Sequence, residues 1–213
     1  MIDTLIFGGT FDPVHLGHVN LADSILDVLE KDAKIVFVPN KEPPHRHLPV
    51  ASTRERIDML NLALQGRPNF YVDDIEIKKA GVSYSIHTLK SYRQSYGLNF
   101  SLSFVVGLDA WQSFSSWHQF DKIARHSNLI VYNRPGKYTF DSSSAGTFGF
   151  QFKEKITQLS DFNQGCLFYL SLEKINISSS IVRSAARRGQ DLSSMVNSDV
   201  AEYIARHRIY RRA

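Results

Sequence analysis

The sequence predicts an α/β fold in which helices cover both faces of a doubly wound parallel sheet. Short apolar segments alternate along the 213 residues with longer segments whose apolar positions recur at helical spacing. The apolar segments are continuous, as expected for strands that are covered on both faces. Glycine-containing polar segments directly follow several of them, which is where ligands bind in a Rossmann-like sheet. We expect one domain over residues 1–213, with a small C-terminal helical part over 178–213.

The first elements are two strands that flank a helix. Apolar runs predict strands at Thr4–Phe7 and Lys34–Val38, and Leu16–Glu30 between them has the periodicity of an amphipathic helix. The residues expected on its buried face are Leu21, Ile25, Val28 and Leu29. The proline- and histidine-rich segment Pro39–Pro49 then predicts a loop.

The middle of the chain begins with a helix start. Ser52 and Glu55 have the spacing of a capping box, in which each side chain bonds the backbone N–H of the other residue. The inward-facing residues of this helix are expected to be Ile57, Leu60 and Leu64. Phe70–Ile77 is strand-like, and Ser83–Tyr96 is expected to be helical.

The last part of the chain contains three further apolar runs. The strands expected there are Leu102–Val106, Leu129–Tyr132 and Phe168–Leu172. The segment Asp141–Gly149 is rich in serine and glycine and predicts a loop. Two short helices are expected to close the chain, at Ser179–Arg188 and Ser198–Arg206.

Composition narrows the class of protein. Apolar residues make up 43% and charged residues 22%, ordinary values for a globular protein that buries a core. The net charge is only +4 and no basic stripe carries interleaved aromatics, so no nucleic-acid partner is expected. No apolar run approaches the length of a membrane span, and Met1 leads directly into a strand without a signal-peptide pattern. The single cysteine, Cys166, excludes an internal disulfide, and these features together predict a cytoplasmic protein without a membrane partner.

The most informative segment is Gly8–His18, which follows the first strand and opens the first helix. Gly8 and Gly9 permit the backbone to approach a ligand closely, and free N–H groups at a helix start bind anions. His15 and His18 are three residues apart and therefore share a face of the first helical turn. This combination favours binding of a nucleotide's phosphates. A metal site is an alternative, but no third ligand stands at a suitable spacing, so no protein-built metal site is expected.

A second candidate anion site opens the helix near residue 179. Ser178 is a good N-cap, the N–H groups of Ser179 and Ser180 follow it, and Arg183 lies one turn further on. A capped helix with a surface arginine is the alternative interpretation. Four polar segments follow predicted strands and are expected to meet at one edge of the sheet: Gly8–His18, Pro39–Arg46, Gly107–Asp109 and Ile177–Arg183.

These segments together resemble the bacterial nicotinate-nucleotide adenylyltransferases, of the nucleotidyltransferase superfamily with the (His/Thr)-x-Gly-His motif. The likeness begins with Gly-Gly-Thr-Phe-Asp-Pro at residues 8–13 and His15-Leu16-Gly17-His18. The motifs that follow, in the family's order, are Val38–Arg46, Ser83-Tyr84-Ser85 with Thr88-Leu89, Gly107-Leu108-Asp109, Trp117, Arg134-Pro135-Gly136 and Ile177–Arg183. The resemblance spans nearly the whole chain except Tyr138–Gly165, and it departs from the family at His118, where tyrosine is common.

The resemblance implies transfer of the adenylyl group of ATP to nicotinate mononucleotide, which yields nicotinate adenine dinucleotide and pyrophosphate. His18, His15 and Arg183 would be the catalytic residues, and Mg²⁺ would arrive with ATP. The attacking phosphate oxygen is already ionised, so direct in-line attack needs no general base and no covalent intermediate. The residues implied to contact ATP and its phosphates are Gly8, Gly9, Thr10, Phe11, His15, His18, Lys41, Gly107, Asp109, Ser178, Ser179, Ser180 and Arg183.

A separate set of residues would bind the acceptor nucleotide. Trp117 offers a flat ring on which the pyridine stacks, and N–H groups at the helix start near Tyr84 would meet the carboxylate. The implied set is Arg46, Tyr84, Ser85, Ile86, Thr88 and Trp117. Asp109 would accept a hydrogen bond from a ribose hydroxyl, with a helix N-cap as its alternative role.

Two other functions remain open at this point. A related adenylyltransferase would prefer nicotinamide mononucleotide or another phosphate acceptor, which Arg46 and the Ser83–Ile86 region disfavour. A nucleotide-sensing module without turnover would be expected to lack His18 or Arg183, and both are present. The sequence is compatible with a monomer and with a homo-oligomer.

Overall fold

One parallel sheet organises the part of the chain that the structure describes. The structure, a computed structural model, describes residues 3–29, 33–42, 48–79, 81–133, 139–171 and 177–211. The strands in these residues are β1 (Asp3–Gly9), β2 (Ala33–Pro39), β3 (Phe70–Val72), β4 (Leu102–Gly107), β5 (Asn128–Tyr132), β6 (Gln151–Lys153) and β7 (Cys166–Leu170). Their order across the sheet is β3-β2-β1-β4-β5-β7-β6, and every neighbouring pair is parallel.

Helices lie on both faces of this sheet. They are α1 (Leu16–Leu29), α2 (Thr53–Leu64), α3 (Ile75–Lys78), α4 (Ser85–Tyr96), α5 (Leu108–Gln112), α6 (Phe120–Ile123), α7 (Ser144–Thr147), α8 (Ser179–Arg187) and α9 (Ser198–Arg206). Leu5 and Phe7 of β1 belong to a buried cluster with α1, α2, α8 and α9, whereas Ile6 belongs to a cluster with α4, α5, α6 and α7. Both faces of the strand are therefore buried, which explains the continuous apolar runs and confirms the doubly wound prediction. Within the described residues, no helix is both long and apolar enough to cross a membrane.

The topology brings several loops together at the carboxyl end of β1. This strand is flanked by β2 and β4, so the ends of the three strands are adjacent. In the register, Gly9 pairs with Pro39, and the Asn40 N–H donates to the Gly9 carbonyl over 3.0 Å. From β1 the sheet extends through β2 to β3 on one side and through β4 to β5, β7 and β6 on the other. This is the switch point at which doubly wound sheets bind ligands.

The predicted start of α2 is confirmed. Ser52 Oγ accepts the Glu55 N–H over 3.3 Å, and Glu55 Oε2 accepts the Ser52 N–H over 2.8 Å, which completes the capping box. In α1, Leu21, Ile25 and Leu29 are buried as predicted. The prediction for Val28 is wrong, because its side chain is 37% exposed at the edge of that apolar face. Ile57 of α2 is only half-buried, whereas Leu60 and Leu64 are buried.

Two other local predictions are wrong. Phe70–Ile77 is not one strand, because β3 ends at Val72 and the Asp73 carboxylate then accepts the Ile75 N–H over 2.9 Å, which turns the chain into α3. The expected loop Asp141–Gly149 contains the one-turn helix α7, whose start is held by Asp141 Oδ1 accepting the Ser143 N–H over 2.9 Å. Neither helix is long enough to show a period.

The last predicted strand is also displaced along the chain. It corresponds to β7, which begins at Cys166 and ends at Leu170, whereas the prediction ran from Phe168 to Leu172. Leu172 lies outside the described residues.

Candidate active site

The loop between β1 and α1, the predicted phosphate loop, folds tightly around the side chain of Phe11. Phe11 has φ +48°, a left-handed conformation that is rare for non-glycine residues, and its buried ring packs near Phe7 and Phe37. The ring lies directly beside Gly9, where an added Cβ would come within 2.8 Å of it. Glycine at position 9 is therefore required for this close approach.

Two histidines at the start of α1 form a stacked pair beside this loop. The rings of His15 and His18 have centroids 3.7 Å apart and an interplanar angle of 27°. The His15 backbone N–H donates to His18 Nδ1 over 3.3 Å, and the His18 ring contacts Phe11 edge-on at 5.0 Å between centroids. A neutral imidazole that accepts at Nδ1 carries its proton on Nε2. The sequence prediction that the two histidines share one face is confirmed.

The N-terminal end of α8 closes onto the same loop. Ser179 Oγ donates to the Pro13 carbonyl over 3.0 Å, and Arg183 Nη1 donates to the Asp12 carbonyl over 2.7 Å. Ser178 caps the helix by accepting the Ile181 N–H over 3.3 Å. Segments about 170 residues apart in the chain thus meet as predicted, and Arg183 is anchored at the loop rather than free on the surface.

Asp12 and Arg56 belong to this region although the sequence analysis did not assign them roles. Arg56 is only 1% exposed, and its Nη1 donates to the Thr10 carbonyl over 2.7 Å. Burial lowers the pKa of the Arg56 guanidinium, and the neighbouring Asp12 opposes this effect. A sequence signal was available, because Arg56 lies on the α2 face that also buries Met59 and Leu60. A charged residue on an apolar face requires a partner.

Lys41 lies at the end of the next strand, on the side of α4. Its backbone N–H donates to Ser83 Oγ over 3.0 Å, and its Nζ donates to the Lys79 carbonyl over 3.3 Å. Asn40 joins the loop instead, since its Nδ2 donates to Thr10 Oγ1 over 3.2 Å. Arg46 lies outside the described residues, so its predicted contact with the acceptor stays a prediction.

Trp117 connects to the phosphate loop through one intermediate ring. It is partly buried and packs near Phe114 and Phe104, with ring centroids 5.4 Å and 6.1 Å away. The Phe104 ring in turn lies 3.2 Å from the position that a Cβ on Gly8 would occupy. The predicted stacking wall and the predicted phosphate site are therefore neighbours across β4.

The start of α4 lies beside a small group of aromatic rings. Tyr84 is its N-cap residue and forms no side-chain cap, so the first N–H groups of the helix are not taken by that side chain. The Tyr84 ring lies 4.4 Å from the His118 ring and 5.7 Å from the His87 ring. Burial, the nearby His118 and the lysines Lys90 and Lys79 lower the pKa of His87.

Two of the predicted acceptor contacts point into the protein. Ile86 and Thr88 are 0% and 1% exposed, and the Thr88 hydroxyl donates to Glu76 Oε1 over 2.6 Å. Burial raises the pKa of the Glu76 carboxyl, although hydrogen bonds from Thr88 and Ser83 partly offset this. The Thr88 hydroxyl is therefore occupied by Glu76, and the Ile86 side chain belongs to the core.

The end of β4 places an acidic residue at the same edge of the sheet. Gly107 is the N-cap position of α5 and Asp109 lies in its first turn, partly buried. The alternative role of Asp109 as an N-cap is therefore wrong. The described residues contain no group of three or more His, Cys, Asp or Glu that could hold a metal ion. Around the loop, the described donors are N–H groups, imidazoles and hydroxyls, which suit phosphate oxygens.

Comparisons with known proteins extend over nearly the whole chain. The cytidylyltransferase-like family matches residues 6–185. A probable nicotinate-nucleotide adenylyltransferase of Coxiella burnetii is 34% identical over 210 residues, which are 97% of this chain and 97% of that protein. A probable nicotinate-nucleotide adenylyltransferase of Salmonella gallinarum is 32% identical over 209 residues, again 97% of each chain.

A solved structure shares the fold at lower identity. The Plasmodium falciparum nicotinic acid mononucleotide adenylyltransferase complexed with NaAD superposes with a TM-score of 0.76 at 18% identity. The match covers 99% of this chain and 98% of that one.

Proposed function

The chain belongs to the cytidylyltransferase-like family and, within it, to the nicotinate-nucleotide adenylyltransferases, and we propose that it transfers the adenylyl group of ATP to nicotinate mononucleotide. The products are nicotinate adenine dinucleotide and pyrophosphate. The observation that carries the proposal is the stacked pair His15 and His18 at the start of α1, beside the loop to which α8 is hydrogen-bonded at Pro13 and Asp12.

The reaction requires the placement of two phosphates rather than a base. An oxygen of the acceptor phosphate attacks the α-phosphorus of ATP, a new P–O bond forms, and the bond to the bridging oxygen of pyrophosphate breaks. The attacking oxygen is ionised at neutral pH and pyrophosphate leaves with the electron pair, so direct displacement suffices. Catalysis then depends on donors that offset the negative charge collected at the α-phosphorus.

His18 supplies the central donor. With Nδ1 accepting from the His15 N–H, its Nε2–H is the group that donates to an α-phosphate oxygen. His15 fixes the plane of the His18 ring through the stack and adds a second imidazole toward the phosphates. The backbone of Gly9, Thr10 and Phe11 lines the same site, in a conformation held by the buried Phe11 ring.

Arg183 and the start of α8 supply the second group of phosphate contacts. Arg183 stands between the Asp12 carbonyl and Ser180, with Nη2 donating to Ser180 Oγ over 3.2 Å. Its guanidinium neutralises the departing pyrophosphate, and the N–H groups after Ser178 contribute the helix dipole. Lys41, which follows β2, joins this set when its Nζ turns from the Lys79 carbonyl toward the phosphates. Mg²⁺ would be carried by the phosphates of ATP, and the N–H groups, imidazoles and hydroxyls of the loop suit the phosphate oxygens.

The acceptor nucleotide lies between the loop and the start of α4, on the side of Trp117. Its pyridine ring stacks on Trp117, and its carboxylate meets the N–H groups at the start of α4 near Tyr84, Ser85 and Ile86. Ile86 and Thr88 contribute through the backbone and through the shape of the helix start, because their side chains face the interior. Asp109 accepts a hydrogen bond from a ribose hydroxyl. An uncharged amide gains less from a helix start than a carboxylate does, so the acid is the preferred acceptor.

Pyrophosphate release tests the proposal directly. The purified protein is incubated with ATP, Mg²⁺ and either nicotinate mononucleotide or nicotinamide mononucleotide. Fast release with the acid form alone is the expected result. Equal release with both acceptors would refute the carboxylate site at α4, and release with neither would refute the proposed acceptor.

A further inference from the structure

The Asp12 carboxylate joins three separate parts of the chain. Its Oδ1 accepts from the Ala51 N–H over 3.0 Å and from the Tyr210 hydroxyl over 2.9 Å, and its Oδ2 accepts from the Val50 N–H over 2.9 Å. Arg183 Nη1 lies 3.7 Å from the same carboxylate. Asp12 is 4% exposed, so these contacts are made out of water and are strong.

Tyr210 reaches this carboxylate because the chain folds back after α9. Arg208 and Tyr210 have φ +52° and +67°, left-handed conformations that non-glycine residues adopt only when surrounding contacts hold them. Ile209 and Tyr210 are buried, and Arg211 Nε donates to the Ala186 carbonyl at the end of α8 over 3.0 Å. Burial and the adjacent Asp12 raise the pKa of the Tyr210 hydroxyl, which therefore remains a donor at neutral pH.

Two arginines hold the backbone of the phosphate loop next to Asp12. The carbonyls of Thr10 and Asp12, on either side of Phe11, are held by Arg56 and Arg183. In a trans peptide the C=O and the following N–H point in opposite directions, so the Phe11 N–H faces away from the buried Arg56. A shift of Asp12 would move both the loop N–H groups and the anchor of Arg183.

We propose that Tyr210 is a positioning residue for adenylyl transfer, which holds Asp12 and through it the phosphate loop and Arg183. This inference rests on the proposed function, because the loop and Arg183 are assigned there to the phosphates. Tyr210 touches no reacting atom. Its hydroxyl fixes a buried acceptor to which the catalytic elements are attached.

The test compares two variants that each lose one phenolic hydroxyl. In Tyr210→Phe the donor to Asp12 is removed while the ring remains. Tyr203→Phe is the matched control, since the Tyr203 hydroxyl donates to Asp58 Oδ2 over 2.8 Å, a bond between α9 and α2 that does not involve the loop. Thermal unfolding, kcat and both KM values are measured for each variant.

Both variants are expected to lose some thermal stability, but only Tyr210→Phe is expected to lose turnover. Its kcat falls about tenfold, as for a small misplacement of catalytic groups, while the KM for nicotinate mononucleotide changes by less than about twofold. An unchanged kcat in Tyr210→Phe, or equal losses of kcat in both variants, would overturn the proposal. If Tyr210→Phe does not fold, Arg211→Ala is measured instead, because it removes the hydrogen bond that holds the same C-terminal segment to the Ala186 carbonyl. A lowered melting temperature with an unchanged kcat in Arg211→Ala would overturn the proposal equally.

A failure of the proposed function is distinguishable from a failure of this inference. If the wild-type protein does not turn over nicotinate mononucleotide, the proposed function fails. The affinity for Mg²⁺-ATP, measured by calorimetry, then tests the positioning role of Tyr210. Weaker binding in Tyr210→Phe than in wild type and Tyr203→Phe supports the positioning role, and equal binding in all three refutes it.

Discussion

Replacing Gly9 by alanine tests how closely the phosphate loop is packed against the histidines. An added Cβ would lie 2.8 Å from Phe11 Cζ and 3.1 Å from Cε1 and Cε2. Carbon atoms pack at about 3.5–4.0 Å, so the ring has to retreat by roughly 1 Å. It cannot retreat freely, because Phe7 and Phe37 lie 5.7 Å away between centroids and His18 lies 5.0 Å away.

The expected cost has a structural part and a catalytic part. Overpacking of a buried ring costs about 1–3 kcal/mol, which for a protein of this size lowers the melting temperature by about 2–12 °C. Part of the displacement passes to His18, and a misplacement on the order of 1 Å lowers turnover by about tenfold to a hundredfold. The Gly9→Ala variant is therefore expected to be less stable and markedly slower.

Differential scanning calorimetry and pyrophosphate release check the two parts. Gly8→Ala is the matched control for stability, because its Cβ would meet Phe104 Cζ at 3.2 Å and needs a retreat of only a few tenths of an ångström. The Phe104 ring packs against Trp117, whereas the Phe11 ring beside Gly9 packs against His18. Wild-type stability and kcat in Gly9→Ala, or a fall in melting temperature in Gly8→Ala as large as in Gly9→Ala, would refute the reasoning.

Three further substitutions address other parts of the site. His18→Ala is expected to lower the rate of pyrophosphate release by about a hundredfold or more, as for loss of one transition-state donor, with an unchanged circular dichroism spectrum. Trp117→Ala is expected to raise the KM for nicotinate mononucleotide by about fivefold in steady-state kinetics, from the lost stacking, with the KM for ATP within about twofold of wild type. Glu76→Gln is expected to raise the melting temperature at about pH 8 but not at about pH 4.

The pH dependence of Glu76→Gln follows from the direction of its pKa shift. Burial raises the pKa of the Glu76 carboxyl in the folded state, so the protein is stabilised below the unfolded-state pKa and loses this contribution as the pH rises through the folded-state value. The amide oxygen of glutamine still accepts from Thr88. A lower melting temperature than wild type at high pH would contradict the assignment.

The predictions for the other two variants have their own refuting outcomes. Near wild-type turnover in His18→Ala would contradict the role of His18, and equal increases in both KM values in Trp117→Ala would contradict the role of Trp117.

Local signals predicted the fold and the two helix starts that the structure brings together at the candidate site. Continuous apolar runs identified the strands, because a strand covered on both faces has no polar side. The capping box at Ser52 and the N-cap at Ser178 could also be predicted, because each involves hydrogen bonds within four residues. The spacing of His15 and His18 predicted their common face, and the strand order brought the described parts of the predicted segments together at one edge.

Short elements and buried polar contacts were not predictable in the same way. The helices α3 and α7 are single turns started by an aspartate side chain, and one turn carries no period. The sequence predicts Thr88 as an acceptor contact, and only the structure shows that its hydroxyl donates to Glu76.

The sequence by itself determined the fold class and the family, and it predicted which residues would contact phosphates, because these depend on local periodicity and short motifs. Only the tertiary structure showed that Asp12 bonds Tyr210 across 198 positions, that Arg56 holds the Thr10 carbonyl, and that Arg183 is anchored at Asp12. A hydrogen bond between distant segments leaves no pattern in the intervening sequence. It depends on where the packed sheet and helices place two side chains, and this is decided only when the whole core forms.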